Sequence, residues 1–398
     1  MKKRYDVIIV GAGPAGCSAA TFIARKGLDV LLLDKACFPR DKVCGDGISP
    51  PALGVLGRMG LHETIKNKDP WKVDGIELIS STGKRLTAEF RQAEGIEEYG
   101  YVWPRRDFDM TLLEDVQSNL NVDVLGCCEV SDLTYKGKRP CGAIALHKGL
   151  LRDFKGEVII GADGVHSVVK RKTSHLRAVT RQKALGLRAY FRDVQGLTRR
   201  MEIHWEGNHL RGYAWIFPTG DGTANVGLGI PHRFARGMDI KRSFGIFVEK
   251  NRSGGGVLHK ARMVENTLKS WLIPLGSWLS KRSHKNVLLI GDAGGFADPV
   301  TGEGIYHALI SGEFAAQAIS KGLKGKGDID VIGEIYDQLC RKAFKPKEYL
   351  LGGLLQRFLL NSYFLNFNIS RAIRKPVMAA NLVSILCHKK SKIGLILG

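Results

Sequence analysis

The chain has 398 residues, 44% of them hydrophobic, and its 60 Lys and Arg against 39 Asp and Glu leave a formal net charge of +21. That length buries a large core and suits two interlocked domains with a tail, and no run approaches the roughly 18 uninterrupted apolar residues of a membrane span. The basic excess is spread along the chain and suits an anionic membrane surface, a negatively charged substrate or redox partner, or simply a solvated surface; with no recognition motif, nucleic acid is not an expected partner.

The first predicted element is the apolar, β-branched run Val7 to Val10, the pattern of a strand buried on both faces. Gly11, Gly13 and Gly16 follow, spaced for a tight turn, a close backbone approach to a pyrophosphate and a close helix–strand packing. The predicted helix from Pro14 to Lys26, closed by Gly27, points its unpaired N–H groups and positive dipole end at those phosphates. The next strand, Val30 to Leu33, ends at Asp34 and Lys35. There the Asp34 carboxylate can accept hydrogen bonds from ribose hydroxyls, which favours FAD or NAD over NADP. The few apolar residues before Gly11 are too short for a secretory signal. Eight cysteines, Cys17 and Cys37 among them, show no CxxC or zinc spacing, so reduced thiols in a cytosolic protein are expected and no metal site.

Further along, Val158-Ile-Ile-Gly-Ala-Asp163-Gly is another strand running into a glycine turn. Gly75 to Glu89 and residues 185–275 alternate as strands of a second, mostly antiparallel sheet that roofs the cofactor. In Tyr213-Ala-Trp-Ile-Phe-Pro218 the aromatics Tyr213, Trp215 and Phe217 fall on one face of a strand, with Ala214 and Ile216 on the other. That face is either a flat wall for an unsaturated chain or ordinary core. The strand Asn286 to Ile290 ends at Gly291-Asp292, where a carboxylate can reach the ribityl chain of a flavin. Pro299 to Gly304 then leads into a helix to about Ser320, whose first N–H groups favour negative charge on a reduced flavin. This motif and the N-terminal one together select FAD over NAD. Lys321 to Asp328 reads as a connector, followed by a helix near 329–344, an apolar helical segment Tyr349 to Phe367 and a basic end, Val377 to Gly398. This last region either lies on a membrane as an amphipathic tail, packs on the body of the protein, or lines a pocket for an apolar substrate.

With these motifs in place, the chain resembles the flavoprotein family that includes p-hydroxybenzoate hydroxylase, and within it the geranylgeranyl reductases. The narrower resemblance is carried by Pro39-Arg-Asp-Lys-Val-Cys-Gly-Asp-Gly47, Tyr213 to Pro218 and Asp298-Pro-Val-Thr-Gly-Glu-Gly304, and it covers roughly residues 5–320. It implies an α/β fold, α+β overall, with a Rossmann-like FAD-binding domain of the glutathione-reductase and p-hydroxybenzoate-hydroxylase type. That domain is expected over 1–70, 100–175 and 284–325, an inserted antiparallel-sheet substrate domain over 71–99 and 176–283, and a C-terminal helical region over 326–398. Ala15, Asp34, Gly45, Arg105, Val130, Asp292, Gly304 and Ile305 match FAD-contact positions of the group. Gly11, Gly13, Pro14, Gly16, Lys35, Cys44, Asp163, Gly291, Pro299 and Gly302 complete the expected cofactor set. In the family an arginine such as Arg105 reaches the cofactor phosphates, a contact that suits a guanidinium; Arg106 is its neighbour and competitor. The chain departs from the group at Leu210 and Thr219, where proline and lysine are common.

Two candidates for catalysis follow, Cys44 and Asp46, either of which can deliver a proton near the flavin, with His307 a weaker third. Tyr213, Trp215, Phe217 and Pro218 are the expected substrate contacts. As a reductase, the enzyme passes hydride from reduced flavin to an isoprenoid or lipid-like C=C bond; as a monooxygenase, it oxygenates an apolar or aromatic substrate. No second dinucleotide motif is present, so the reductant, NAD(P)H or an electron-donor protein such as reduced ferredoxin, is expected to bind transiently. A cytoplasmic location, with possible attachment to the inner face of the membrane, completes the expectation.

Overall fold

The computed structural model describes residues 2–92, 95, 97–176, 182–206, 210–276, 281–323, 329–359 and 361–392. Segments far apart in sequence build its first sheet. Tyr5–Val10 lies at the centre, parallel to Leu150–Gly161 on one side and Val30–Leu33 on the other. Val287–Leu289 and Val122–Leu125 extend the sheet outward, again parallel. The central strands are rich in Val, Ile and Leu and almost wholly buried, as parallel strands covered on both faces must be. Leu150–Gly161 serves twice: its first half pairs antiparallel with Arg139–His147, which pairs in turn with Cys128–Lys136.

The helices Pro14–Ala24 and Ile305–Leu323 pack against each other beside this sheet. Their approach depends on Gly312, where a Cβ would stand 2.7 Å from the Ala15 carbonyl oxygen. The two glycine motifs, remote in sequence, are thereby pressed together at one end of the sheet. An unexpected covalent tie joins the same end. Cys37 and Cys127 form a disulfide with their Cα atoms 4.8 Å apart, where reduced thiols were expected. The Cys127 N–H donates to the Ala36 carbonyl at 3.0 Å, which zips the loops after two neighbouring strands and brings the thiols within reach.

The second sheet runs from Arg262–Met263 through Gln182–Arg192, Thr223–Pro231, Tyr213–Gly220, Arg200–His204 and Gly75–Ile79 to Arg85–Glu89. It is antiparallel except where Arg200–His204 lies parallel to Gly75–Ile79. The alternation expected over 185–275 is interrupted by a helix, Ile240–Ser253, capped by Asp239 accepting from the Lys241 and Arg242 amides. Its Phe244 and Phe247 bury against Ala214, Ile216, Val226 and Leu228 on one face of the sheet. The aromatic face of Tyr213–Gly220 is left to point the other way.

The C-terminal region is helical, but the expected segment Tyr349 to Phe367 is two helices, Pro346–Leu359 and Ser362–Arg374. Asn361 divides them, because its side chain accepts from the Tyr363 and Phe364 amides and starts a new helix. Leu365, Ile369 and Ala372 cluster with Leu78 and Leu86 of the second sheet. In the following helix, Pro376–Leu386, Val383 joins Cys387 in a cluster with Val73, Val102, Met201 and Phe217. Residues 324–328 of the expected connector and 393–398 of the tail lie outside the described residues. Among those described, no helix is long and apolar enough to cross a membrane.

Candidate functional site

The loops after four parallel strands converge on one groove. Gly11 has φ +107°, and a Cβ there would fall 2.3 Å from the Ala162 carbonyl oxygen, so the first glycine loop abuts Gly-Ala-Asp163-Gly edge to edge. Gly16 has no room for a side chain either: a Cβ would stand 1.8 Å from the Gly11 oxygen. Gly13, in contrast, faces open space, with only Arg40 Nη2 at 3.6 Å. Pro14 opens the helix and Ala15 lies under Gly291, whose φ is +53°. Asp34 is fixed by the Ala12 and Ala36 amides at 2.6 and 2.8 Å, one on each oxygen, while Lys35 is exposed. Val130 is buried in the cluster that holds Val10, Leu31 and Leu33.

The groove is lined by cations. Arg105 is 7% exposed, whereas its neighbour Arg106 is exposed. The Arg105 guanidinium grips Asp109 bidentately at 2.6 and 2.7 Å, and Arg40 Nη1 shares that carboxylate at 2.8 Å. Lys42 lies 3.7 Å over the Trp271 ring; burial pulls its pKa down to about 8, opposed by the attraction of Asp292. Asp163 caps a short helix by accepting from the Val168 amide at 2.6 Å, yet its other oxygen is buried without a partner. A glycine cradle open at Gly13, ringed by guanidinium groups and holding an orphaned carboxylate oxygen, fits a dinucleotide with a pyrophosphate and ribose hydroxyls. These residues would hold FAD.

Beside the groove, Cys44-Gly45-Asp46 passes under the aromatic face. A Cβ on Gly45 would meet the Phe217 ring at 3.1 Å and Trp215 Nε1 at 3.6 Å. The rings of Tyr213, Trp215 and Phe217 follow one another at 6.0 and 6.2 Å, so the expected shared face is present. Cys44 is half-buried; burial pushes its thiol pKa up, while neighbouring Arg105 works in the opposite direction.

Asp46 is different from its expected role. It is fully buried, at φ +63°, and both carboxylate oxygens are engaged. Oδ2 accepts from Tyr190 Oη at 2.6 Å and Asn225 Nδ2 at 2.7 Å, and Oδ1 accepts from the Arg105 amide at 3.3 Å. Asn225 also donates to the Cys44 carbonyl at 2.8 Å and accepts from Trp215 Nε1 at 2.8 Å. The carboxylate therefore ties the Cys44 turn to the aromatic strand and has no face toward a substrate. Burial pushes its pKa up to about 6, moderated by the Tyr190 and Asn225 hydrogen bonds. Tyr190 and Asn225 were not singled out by sequence reasoning; their one visible signal was a place in alternating strands.

The turn Asp298–Gly304 completes the groove ahead of the Ile305–Leu323 helix. Tyr213 Oη donates to the Thr301 carbonyl at 2.5 Å and Gln356 Nε2 to the Pro299 carbonyl at 2.7 Å. Between this turn and the second sheet lies a small cavity of about 40 Å³, mainly apolar, lined by Trp205, Tyr213, Ile273, Leu275 and Pro299 among others. Pro218 is buried within the aromatic strand, which runs on to Gly220. His307 is buried in the helix, and burial holds its pKa well below the usual histidine range.

Fold and groove together define an FAD-dependent oxidoreductase. The FAD binding domain model matches residues 4–223 and the geranylgeranyl reductase catalytic domain model residues 208–267. The chain is 30% identical over 358 residues to digeranylgeranylglycerophospholipid reductase 1 of Methanococcoides burtonii, covering 86% of this chain and 81% of that protein. It thus belongs to the geranylgeranyl reductase family, enzymes that act on prenyl double bonds. Menaquinone reductase of Mycolicibacterium smegmatis is also 30% identical, over 344 residues, with 81% and 78% covered. Among solved structures, a geranylgeranyl bacteriochlorophyll reductase-like protein from Thermoplasma acidophilum superposes with a TM-score of 0.82 at 21% identity, over 99% and 98% of the two chains. A flavin-dependent brominase superposes with 0.79 at 20% identity, over 96% and 93%. At those identities the last two speak for the fold alone, and they bear out the expected fold class.

Proposed function

We propose that this chain reduces C=C bonds in the prenyl chain of a lipid or quinone. The observation that carries the reading is the aromatic face of Tyr213, Trp215 and Phe217 closing on Gly45 beside the FAD groove, with an apolar cavity at its edge. When bound and reduced, FAD supplies a hydride. The chain's part is to hold the alkene flat against that face and to give the second carbon a proton. Cys44 is the proton donor: its raised pKa keeps the thiol protonated at neutral pH, and Arg105 beside it steadies the thiolate left behind until solvent restores the proton. NAD(P)H, or two molecules of reduced ferredoxin, bound transiently, would be the source of the two electrons.

A prenyl lipid or quinone resides in a membrane, and the Ser362–Arg374 helix offers a way to meet it. Tyr363 and Phe367 are 86% and 61% exposed, and Arg371 lies over the Phe367 ring. From Tyr349 to the end of the chain there is no acidic residue. Peripheral attachment to an anionic bilayer at this helix is part of the proposed function.

The test is anaerobic. Protein reduced with dithionite is mixed with a geranylgeranylated glycerophospholipid or a menaquinone. The expected result is reoxidation of the flavin without oxygen and a product heavier by two hydrogen atoms for each bond reduced. No anaerobic reoxidation, with substrate-stimulated oxygen uptake and a product heavier by one oxygen atom, would overturn the reading in favour of a monooxygenase.

A further inference from the structure

The turn ahead of the Ile305–Leu323 helix carries two carboxylates, Asp298 and Glu303, and both are neutralised from the far end of the chain. Asp298 is 1% exposed. Its Oδ1 accepts from the Val300 and Thr301 amides at 2.8 and 3.0 Å, and its Oδ2 pairs with Lys392 Nζ at 2.8 Å. Glu303 takes the Ser49 hydroxyl on one oxygen and faces His388 Nε2 at 2.9 Å on the other. Lys392 is itself 6% exposed, and a buried ammonium is stable only where a paired site is built for it. His388 is wedged in place, its ring stacked on Tyr306 at 5.5 Å and edge-on to His307 at 4.7 Å. Burial would push the Asp298 carboxyl up, but Lys392 first and His388 after it hold it well below the usual carboxylate range.

We propose that residues 388–392 are a positioning strap that seats the Asp298–Gly304 turn against the flavin and cancels its negative charge, so that reduction of the bound flavin is favoured. The inference rests on the reading that this turn and the helix after it face the part of the flavin that gains charge on reduction. The first N–H groups of the helix favour that charge, and two bare carboxylates at the same terminus would oppose them. Lys392 and protonated His388 remove the opposition. Both residues meet the carboxylates of the turn and act through it.

The experiment uses the full-length, FAD-loaded protein and its Lys392→Met and Lys392→Arg variants. Three quantities are read: the midpoint potential of the bound flavin by dye equilibration, the FAD dissociation constant, and the metal content. Lys392→Met should shift the ratio of reduced to oxidised flavin at fixed potential about tenfold toward oxidised, which is about 30 mV for a two-electron couple. Lys392→Arg should restore it. A Lys392→Met protein that loses stability or FAD affinity with its potential unmoved would overturn the proposal, since a merely structural tie behaves so. Should Lys392→Met fail to fold, Lys392→Met/Asp298→Asn removes both charges together. That double variant should keep the wild-type potential, and a lowered potential there would overturn the proposal.

Ligand atoms of Asp298, His307 and His388 lie within 4.8 Å of one another. One tightly held divalent cation per chain would therefore overturn the strap in favour of a metal site. Failure of the underlying reading is separable. Asp292→Ala with undiminished FAD affinity would sink the cofactor placement. An unmoved potential in Lys392→Met, with FAD weakened in Asp292→Ala, would sink the strap alone.

Discussion

Asp46 shows how the surroundings of a single side chain are set by partners remote in sequence. Its position in Cys44-Gly45-Asp46 suggests a proton donor near the flavin, and the structure buries it in a hydrogen-bond network. What the local sequence could not reveal is that Tyr190 and Asn225, 144 and 179 residues away, turn it inward. The consequence is a pH dependence with a definite sign. In the unfolded chain the carboxyl ionises near its ordinary 3.8, and in the fold near about 6, because burial disfavours the charge. The folded state therefore holds a proton that the unfolded state has lost between those values, and stability falls as pH rises through that window. A shift of about two units corresponds to roughly 3 kcal/mol. Asp46→Asn keeps the shape and removes the titration. Measured by urea unfolding, the stability of the variant relative to the wild type should rise by roughly 2 kcal/mol from pH 4 to pH 7. A difference that stays constant across that range would mean that the network does not hold a buried, titrating carboxyl.

At the scale of elements, what was legible depended on how local the cause is. The glycine loops could be read because Gly11, Gly13 and Gly16 report backbone needs of their own immediate turn. The aromatic strand could be read because period-two alternation fixes a shared face wherever the strand is placed. The Ile240–Ser253 helix was missed inside a run of strands because its apolar face answers a sheet face built elsewhere in the chain, whereas the Asn361 cap is local and was masked by the continuous apolar run around it. The Ser362–Arg374 helix is the clearest case. Its Leu365, Ile369 and Ala372 bury against the second sheet, and the turn of the helix carries Tyr363 and Phe367 to the opposite side, with Arg371 beside Phe367. A second copy of this chain is a poor occupant for that face, because a symmetric pairing would set arginine against arginine. Anionic lipid has the complementary charge. The protein should sediment with vesicles containing phosphatidylserine and remain in solution with purely phosphatidylcholine vesicles. Tyr363→Ser/Phe367→Ser should weaken vesicle binding at least tenfold, as expected when burial of large apolar side chains worth about 1.5–3 kcal/mol each is lost. Equal sedimentation of wild type and variant would place the membrane contact elsewhere or remove it.

At the scale of the whole molecule, the residues that would hold the cofactor come from segments near both ends of the chain, which would make the ligand part of the fold's stability. The first glycine loop, the Asp163 turn and the Asp292–Gly304 segment come from distant positions, and among the described residues they meet at one groove. A ligand that binds only the folded state stabilises it by about 2.7 kcal/mol when present at a hundred times its dissociation constant. Added FAD should therefore raise the unfolding midpoint of the stripped protein by several degrees. The net charge of +21 supplies a competing explanation, because any polyanion relieves self-repulsion in so basic a molecule. Salt separates the two. At physiological ionic strength exposed charges are screened beyond about 8 Å, so stabilisation by inorganic pyrophosphate or heparin should fade as salt is raised. Stabilisation by FAD should largely persist if it is held, as proposed, by close hydrogen bonds at Gly13, Asp34 and Arg105, since short-range contacts are screened less than long-range attraction. AMP, which engages only the adenosine end, should give a smaller shift than FAD at matched saturation. If pyrophosphate reproduces the FAD shift at every salt concentration, the groove is holding charge and not the dinucleotide, and its convergence from three segments has another cause.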